Sequence, residues 1–285
     1  MALFLCWLAE VRTDGFSTSK IENPYPFSSI SSEGGTSEIG PLFSQPFTYL
    51  SQGRQSFVFA SEDGKIVLKF FKQNYFRNPW YLRWVEKIPF SCFQQWSFRE
   101  AAKRDLRKGF YLNSYRIAFS KAKEETGLLY FHLGNGKKIL PSVQIVDKAS
   151  RKYRIDLNSI PFVLQKKGEP FYPGLDTAFK SEGIAGICKL LDQFVERVAD
   201  RIGQKIGDAD RDIEHNWGVL DGQVLHLDPG RFYLTDDLSN SEGIHREWRR
   251  ASENLLKWLK QHYPEAEEHL KKAIKTKIPE IDGAP

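Results

Sequence analysis

Hydrophobic positions along this chain change period near its middle. Between about residues 47 and 165 they come in short alternating or clustered runs, as in strands. Beyond about residue 183 they recur every three or four positions, as on helices. From Tyr49 to Phe71 the pattern predicts strands joined by tight turns. Phe57 and Phe59 alternate with Ser56, Val58 and Ala60, Asp63-Gly64 is a hairpin signal, and Lys65-Ile-Val-Leu-Lys-Phe-Phe is rich in strand formers. Further strands are expected over 127–133, 142–147, 153–157 and 160–165, with a turn at Gly134-Asn-Gly136. One long helix interrupts them, from about Phe93 to Glu125, with Phe98, Ala101, Ala102, Leu106, Phe110 and Ile117 at helical spacing and Gly109 and Asn113 as break points. Between Pro79 and Pro89 a short helix rich in Trp and Tyr reads as a packing insertion. Its functional reading is a membrane-surface or partner-binding element, because Trp beside Arg and Lys suits an interface. In the second half, Ile184, Ile187, Leu190, Leu191, Phe194, Val195, Val198 and Ile202 form a stripe over a helix from Gly183 to Ile206, stopped by Gly207. Two more helices are expected, over 241–261 and from Pro264 to about Lys275.

Composition narrows the class only a little. At 285 residues, 41% of them apolar and 14% aromatic, most of the chain is expected to fold. Leu3 to Ala9 is apolar but far short of the ~20 residues a transmembrane helix needs, and no basic residue precedes it as in a secretory signal. Residues 12–46 are rich in Ser, Thr, Gly, Pro and Glu, so 1–46 is expected to be a flexible leader. A strand-rich part over 47–165 and a helical part over 166–285 follow. The net charge of +5 favours acidic ligands weakly and does not separate ATP from nucleic acid or acidic lipid. Cys6, Cys92 and Cys188 are odd in number and lack metal spacing, which fits a reduced, cytoplasmic setting, with export left open.

Candidate chemistry concentrates in residues 208–232. Asp208-Ala-Asp210-Arg-Asp212 is followed by Asn216-Trp-Gly-Val-Leu, an Asp221-Gly222 turn, and an apolar strand that ends at Asp228-Pro-Gly. A carboxylate at the end of an apolar strand is costly unless it is paired or binds a cation. This order of parts resembles the catalytic and metal-binding loops of the protein kinase-like superfamily. The upstream segments also stand in that family's order, over about residues 45–235. The resemblance implies an α+β, bilobal protein kinase-like fold: a small, five-stranded antiparallel-sheet N-lobe (47–165) with one long helix, and a helical C-lobe (166–285). ATP and Mg2+ would be the cofactors, bound between the lobes. Gly53 would mark the turn covering the phosphates, Lys69 would contact them, and Glu100 would orient Lys69, with Glu124 and Glu125 as competitors. Gln165, on the strand leading to Gly168, would lie where backbone groups meet adenine, and Asn216 and Asp228 would hold the metal.

Three departures from the family pattern bear on activity. The family's spacing of five before the metal asparagine lands on Arg211, which cannot accept a proton. A one-residue insertion makes Asp210 the first choice for the base. Asp208 is second, because it follows Gly207 as in the His-Gly-Asp form of small-molecule kinases, although Ile206 stands where that form has His. The turn keeps only Gly53 where the family usually has two or three glycines. The segment after Asp-Pro-Gly is short and has no Ala-Pro-Glu element, which points to an aminoglycoside-phosphotransferase-like or atypical bacterial-type kinase with a small-molecule or protein acceptor. A pseudokinase scaffold, AMP transfer on the same fold, and an α+β binding protein whose acidic loop holds a cation structurally remain open alternatives.

Overall fold

The computed structural model describes residues 10–22, 39–73, 84, 87, 91–133 and 140–278. Expectations for residues 1–9 and 23–38, for most of the Trp- and Tyr-rich stretch at 74–90, and for the 134–136 turn lie outside the described residues. The chain forms two units. One comprises residues 1–109 with 128–167, the other 110–127 with 168–285.

The first unit is built on strands β1 (Phe47–Gln52), β2 (Ser56–Ser61), β3 (Ile66–Phe71), β4 (Leu128–His132), β5 (Ser142–Val146), β6 (Lys152–Asp156) and β7 (Phe162–Lys166). Their order in the sheet is β4-β7-β3-β2-β1-β5-β6. Asp63-Gly64 makes the expected β2–β3 hairpin, with Gly64 in the left-handed region at φ 72°. The sheet has seven strands rather than five, and it is not wholly antiparallel. β5 pairs with β1 in parallel, Phe47 opposite Ile145, which carries the β5–β6 hairpin onto the edge of β1. Loop lengths alone do not reveal that the second hairpin returns to the first strand.

One face of this sheet carries Phe47, Phe57, Phe59, Leu68, Phe70, Phe162 and Leu164 into a common core. The expectation of a flexible leader is corrected for residues 10–22 and 39–46, because Phe16, Ile21, Ile39 and Phe43 are buried in that core. Phe16 packs edge-on against Phe57 and Phe59, with ring centroids 5.2 Å apart in both pairs. A few apolar anchors suffice to hold a segment whose composition is otherwise polar.

Helix α1 (Ser91–Lys121) is continuous through Gly109 and Asn113, so the expected breaks do not occur. An isolated glycine costs a helix only ~1 kcal/mol and does not terminate it. The expected end at Glu125 falls in a separate short helix, α2 (Lys123–Thr126).

The second unit is mainly helical: α3 (Phe171–Glu182), α4 (Ile184–Gly203), α5 (Ile213–Asn216), α6 (Ser241–His262) and α7 (Pro264–Lys277). The stripe on α4 enters its core with Trp248, Leu255 and Leu259 of α6 and Leu270 of α7. Helix α3 escapes a reading of the sequence because Pro173 and Gly174 in its first turn look like breakers. Gly174 serves contact, since a Cβ there would lie 2.6 Å from Val219. α4 stops at Gly203, and Ile206, expected at the helix end, begins strand β9 (Ile206–Asp208) after Lys205 takes a left-handed φ of 59°. β9 pairs with β12 (Phe232–Leu234). β10 (Trp217–Leu220) pairs with β11 (Gln223–His226) on one side and the two-residue β8 (Glu169–Pro170) on the other. No described helix is long and apolar enough to cross a membrane.

Candidate functional site

In the sheet unit, strand alternation sets the candidate residues on the face opposite the aromatic core. Ile66, Leu68 and Phe70 point into that core, so Val67, Lys69 and Phe71 occupy the other face. Lys69 stands opposite Val58 of β2 and Val163 of β7, and Gln165 stands opposite Val67. Lys69 is only 9% exposed and Gln165 is buried, so this is an apolar surface carrying one ammonium and one amide. Val58 and Val67 were not singled out in the sequence, although the period of two that places Lys69 places them beside it.

Gly53 lies in the turn from β1 to β2, its amide donating to the Ser56 carbonyl at 2.9 Å. Its own carbonyl accepts from Lys72 Nζ at 2.8 Å, and the same ammonium bonds the Gln52 side chain and sits 4.5 Å from the centre of the Phe57 ring. Burial pulls the Lys72 pKa down, against the opposing charge of Asp14. Glu100 lies in the first part of α1, and its carboxylate pairs with Lys103 one turn on, at 2.7 Å.

In the helical unit, hairpin geometry joins two candidates that are twelve positions apart in sequence. Asp221 and Gly222 both have positive φ, 50° and 73°, as a two-residue type I′ turn requires. The hairpin folds back on itself so that the Asn216 carbonyl accepts from the amides of Leu227 (2.6 Å) and Asp228 (3.3 Å). Asp228 Oδ1 accepts from the Tyr115 hydroxyl at 3.1 Å and the Gly230 amide at 3.2 Å. The hydroxyl of Tyr111 donates to Tyr115, and Ser114 Oγ bonds the Pro229 carbonyl while accepting from the Phe232 amide at 2.6 Å. Burial, then the charge of Asp228, lifts the Tyr115 pKa well above the usual phenol value, which keeps its proton available to the carboxylate. Tyr111, Ser114 and Tyr115 were missed, though their spacing puts three hydroxyls on one face of a helix.

The acidic run ahead of Asn216 divides by burial. Asp208 Oδ1 accepts from the Asp210 amide at 2.9 Å, Asp210 Oδ1 from the Asp212 amide at 3.1 Å, and Asp212 caps α5 through the His215 amide at 3.1 Å. Asp208 is buried, with His226 Nε2 at 3.0 Å from Oδ2 and Arg201 at 3.8 Å. Burial alone would raise its pKa, but the bond and charge of His226 and the charge of Arg201 outweigh it and hold the group below the usual aspartate range. Glu247 binds the Asp208 amide at 2.9 Å and Arg201 at 3.1 Å, and Arg250 donates to the Asp208 carbonyl at 3.0 Å. Asp208 is therefore tied into the interior, and Asp210 is the half-buried carboxylate on the loop itself.

The candidates thus fall in two sets, one in each unit: Gly53, Lys69, Glu100 and Gln165 in the first, and Asp208, Asp210, Asn216 and Asp228 in the second. Among the described residues no three His, Cys, Asp or Glu side chains group as a metal site. Asn216 and Asp228 offer an amide and a carboxylate, and Asp228 Oδ2 takes no hydrogen bond among the described residues. Such a donor pair fits Mg2+, which keeps waters and takes further oxygens from phosphates.

No family model matches the chain, and no curated protein matches it. Among solved structures, the bifunctional kinase-methyltransferase WbdD is similar at 16% identity and a TM-score of 0.38, over 81% of this chain and 45% of its own. A second WbdD structure gives 15% identity and 0.38, over 83% and 47%. Rv3197 from Mycobacterium tuberculosis, in complex with erythromycin, is similar at 14% identity and 0.35, over 82% and 61%. The chain spans about half the length of the WbdD chains. With TM-scores below 0.5, these likenesses carry no weight in the reading of the site.

Proposed function

We propose that the protein is a kinase-like phosphotransferase that uses Mg-ATP and a hydroxyl acceptor. The observation that carries this reading is the return of the β10–β11 hairpin, which bonds Asn216 to the backbone of Asp228 while Asp210 lies on the loop just ahead. Asn216 and Asp228 would hold the metal, which when bound neutralises phosphate charge. Lys69 would contact the phosphates, and the valines beside it would meet the adenine ring. Asp210 would take the proton from the acceptor hydroxyl as its oxygen bonds to the γ-phosphorus. The bond from that phosphorus to the bridging oxygen breaks, and ADP leaves.

A pseudokinase is the second reading, favoured by two observations. Asp210 already accepts the Asp212 amide, and the lone glycine of the first turn has its carbonyl held by Lys72. Intact mass after incubation with Mg-ATP, beside Asp228→Asn, tests the first reading. A phosphate increment on wild type alone supports phosphoryl transfer, and an adenylyl increment would replace it with AMP transfer. With no increment, an ATP-dependent thermal shift that needs Mg2+ and Asp228 would support nucleotide binding. Absence of that shift as well would sink the first reading.

A further inference from the structure

Apart from Glu100, the first part of α1 presents a surface that the nucleotide reading does not use. Phe98, Ala102 and Leu106 repeat every four residues and form one ridge, and Arg99, Lys103 and Arg107 form the ridge beside it. Phe98 is 65% exposed and Leu106 74%, and Trp96, on the side of the basic ridge, is 45% exposed. Large apolar side chains grouped this way in solvent mark an interaction surface rather than ordinary scatter. Lys103 pairs with Glu100, whereas Arg99 and Arg107 have no acidic partner among the described residues.

Charge says what covers this surface. Residues 96–107 include four basic residues, Arg99, Lys103, Arg104 and Arg107, and two acidic ones, Glu100 and Asp105, a net +2 of the chain's +5. The apolar ridge has cations along one side and Asp105 along the other, and a helix of this kind lies in a bilayer interface with its apolar side chains among the acyl chains and its basic groups at anionic headgroups. Leu106 and Ala102 gain nothing from base stacking, which turns the choice from single-stranded nucleic acid toward lipid. We infer that residues 96–107 form a docking surface for anionic membranes, independent of any nucleotide chemistry.

Sedimentation of the full chain with vesicles tests this. Wild type is expected to pellet with phosphatidylcholine–phosphatidylglycerol vesicles, less so at high salt, and not with phosphatidylcholine alone. Phe98→Ser/Leu106→Ser and Arg99→Glu/Arg107→Glu, with melting temperatures matching wild type, should each weaken partitioning roughly tenfold or more. The inference fails if wild type ignores anionic vesicles, binds neutral ones equally well, or is matched by both variants. Two other outcomes overturn it in favour of a different occupant. A dimer abolished by Phe98→Ser/Leu106→Ser, with vesicles ignored, would assign the ridge to a second copy of the chain. Retention of single-stranded RNA through the same residues, again with vesicles ignored, would assign it to nucleic acid.

Discussion

Two aspartates two positions apart have different surroundings, and the difference separates structure from chemistry. Asp208 is buried against His226 and Arg201, so Asp208→Ala would leave those groups uncompensated and is expected to cost about 3–5 kcal/mol of stability in urea denaturation. Asp210 is half-buried and holds one backbone amide, so Asp210→Ala should cost only about 1 kcal/mol and, under the phosphotransferase reading, abolish phosphoryl transfer. The reverse pattern would return Asp208 to the role of base. Glu125 is a further buried carboxylate in this unit. Its Oε1 lacks a hydrogen-bond partner among the described residues, and burial raises its pKa despite the charges of Arg201 and His226. The folded state then binds more protons than the unfolded chain above the ordinary glutamate range, and stability falls as pH rises through the raised value. Glu125→Gln should match wild type below about pH 4 and gain of order 1 kcal/mol near neutrality, about 2–4 °C in Tm by calorimetry at both pH values. Nothing in the sequence marks these charges as interior. Arg201 stands just before Ile202, the last position of the α4 stripe, and reads as a surface residue, yet it is buried. Burial of a charge depends on partners that arrive from remote parts of the chain, here Glu247 from α6 and Asp208 from β9.

At the scale of elements, the loop after Asp228 depends on the absence of a side chain at Gly230. A Cβ there would lie 2.4 Å from the ring of Tyr111, which is itself buried and cannot swing away. Gly230→Ala should therefore displace the loop and, under the phosphotransferase reading, weaken Mg-ATP binding at least tenfold in titration calorimetry, an effect relieved in part by Tyr111→Ala. The segment over 10–22 is held differently, by Phe16 in the core and by Asp14 accepting from the Tyr49 hydroxyl at 2.6 Å and from Gln52 at 3.0 Å. The Tyr49 bond lowers the Asp14 pKa, so its contribution is present above the ordinary aspartate range and is lost as pH falls through the lowered value. Asp14→Asn should speed proteolytic cleavage of this segment at neutral pH, and the difference from wild type should begin to close below about pH 4 and vanish only below the lowered value. Hairpins and the α4 stripe were legible because each depends on residues close in sequence. The parallel β1–β5 pairing and the packing of residues 10–22 were not, because both join segments roughly 30 to 100 residues apart without a local signature.

At the scale of the molecule, each unit has its own hydrophobic core, one built around aromatic side chains of the sheet and one around α4 and α6. The order of strands followed by helices could be read from the change in hydrophobic period, and so could the short list of polar residues set in apolar strands. Asp228 stood out because an apolar strand ends on it, and Lys69 because it interrupts one. How the two sets act together is a question for ligand binding. Lys69 belongs to the sheet unit and Asp228 to the helical unit. A ligand that binds only the native state at one hundred times its Kd adds about 2.7 kcal/mol of stability. If Mg-ATP takes groups from both units, Lys69→Ala and Asp228→Asn should each remove most of that gain, and a chelator should do the same to wild type. A shift lost in only one variant would confine the nucleotide to that unit, and a shift indifferent to the chelator would separate nucleotide binding from the metal pair. Because Lys69 sits among valines on a strand and Asp228 at the end of a hairpin, each substitution is isosteric or smaller and is not expected to perturb the opposite core. Equal loss would therefore report shared binding rather than shared unfolding.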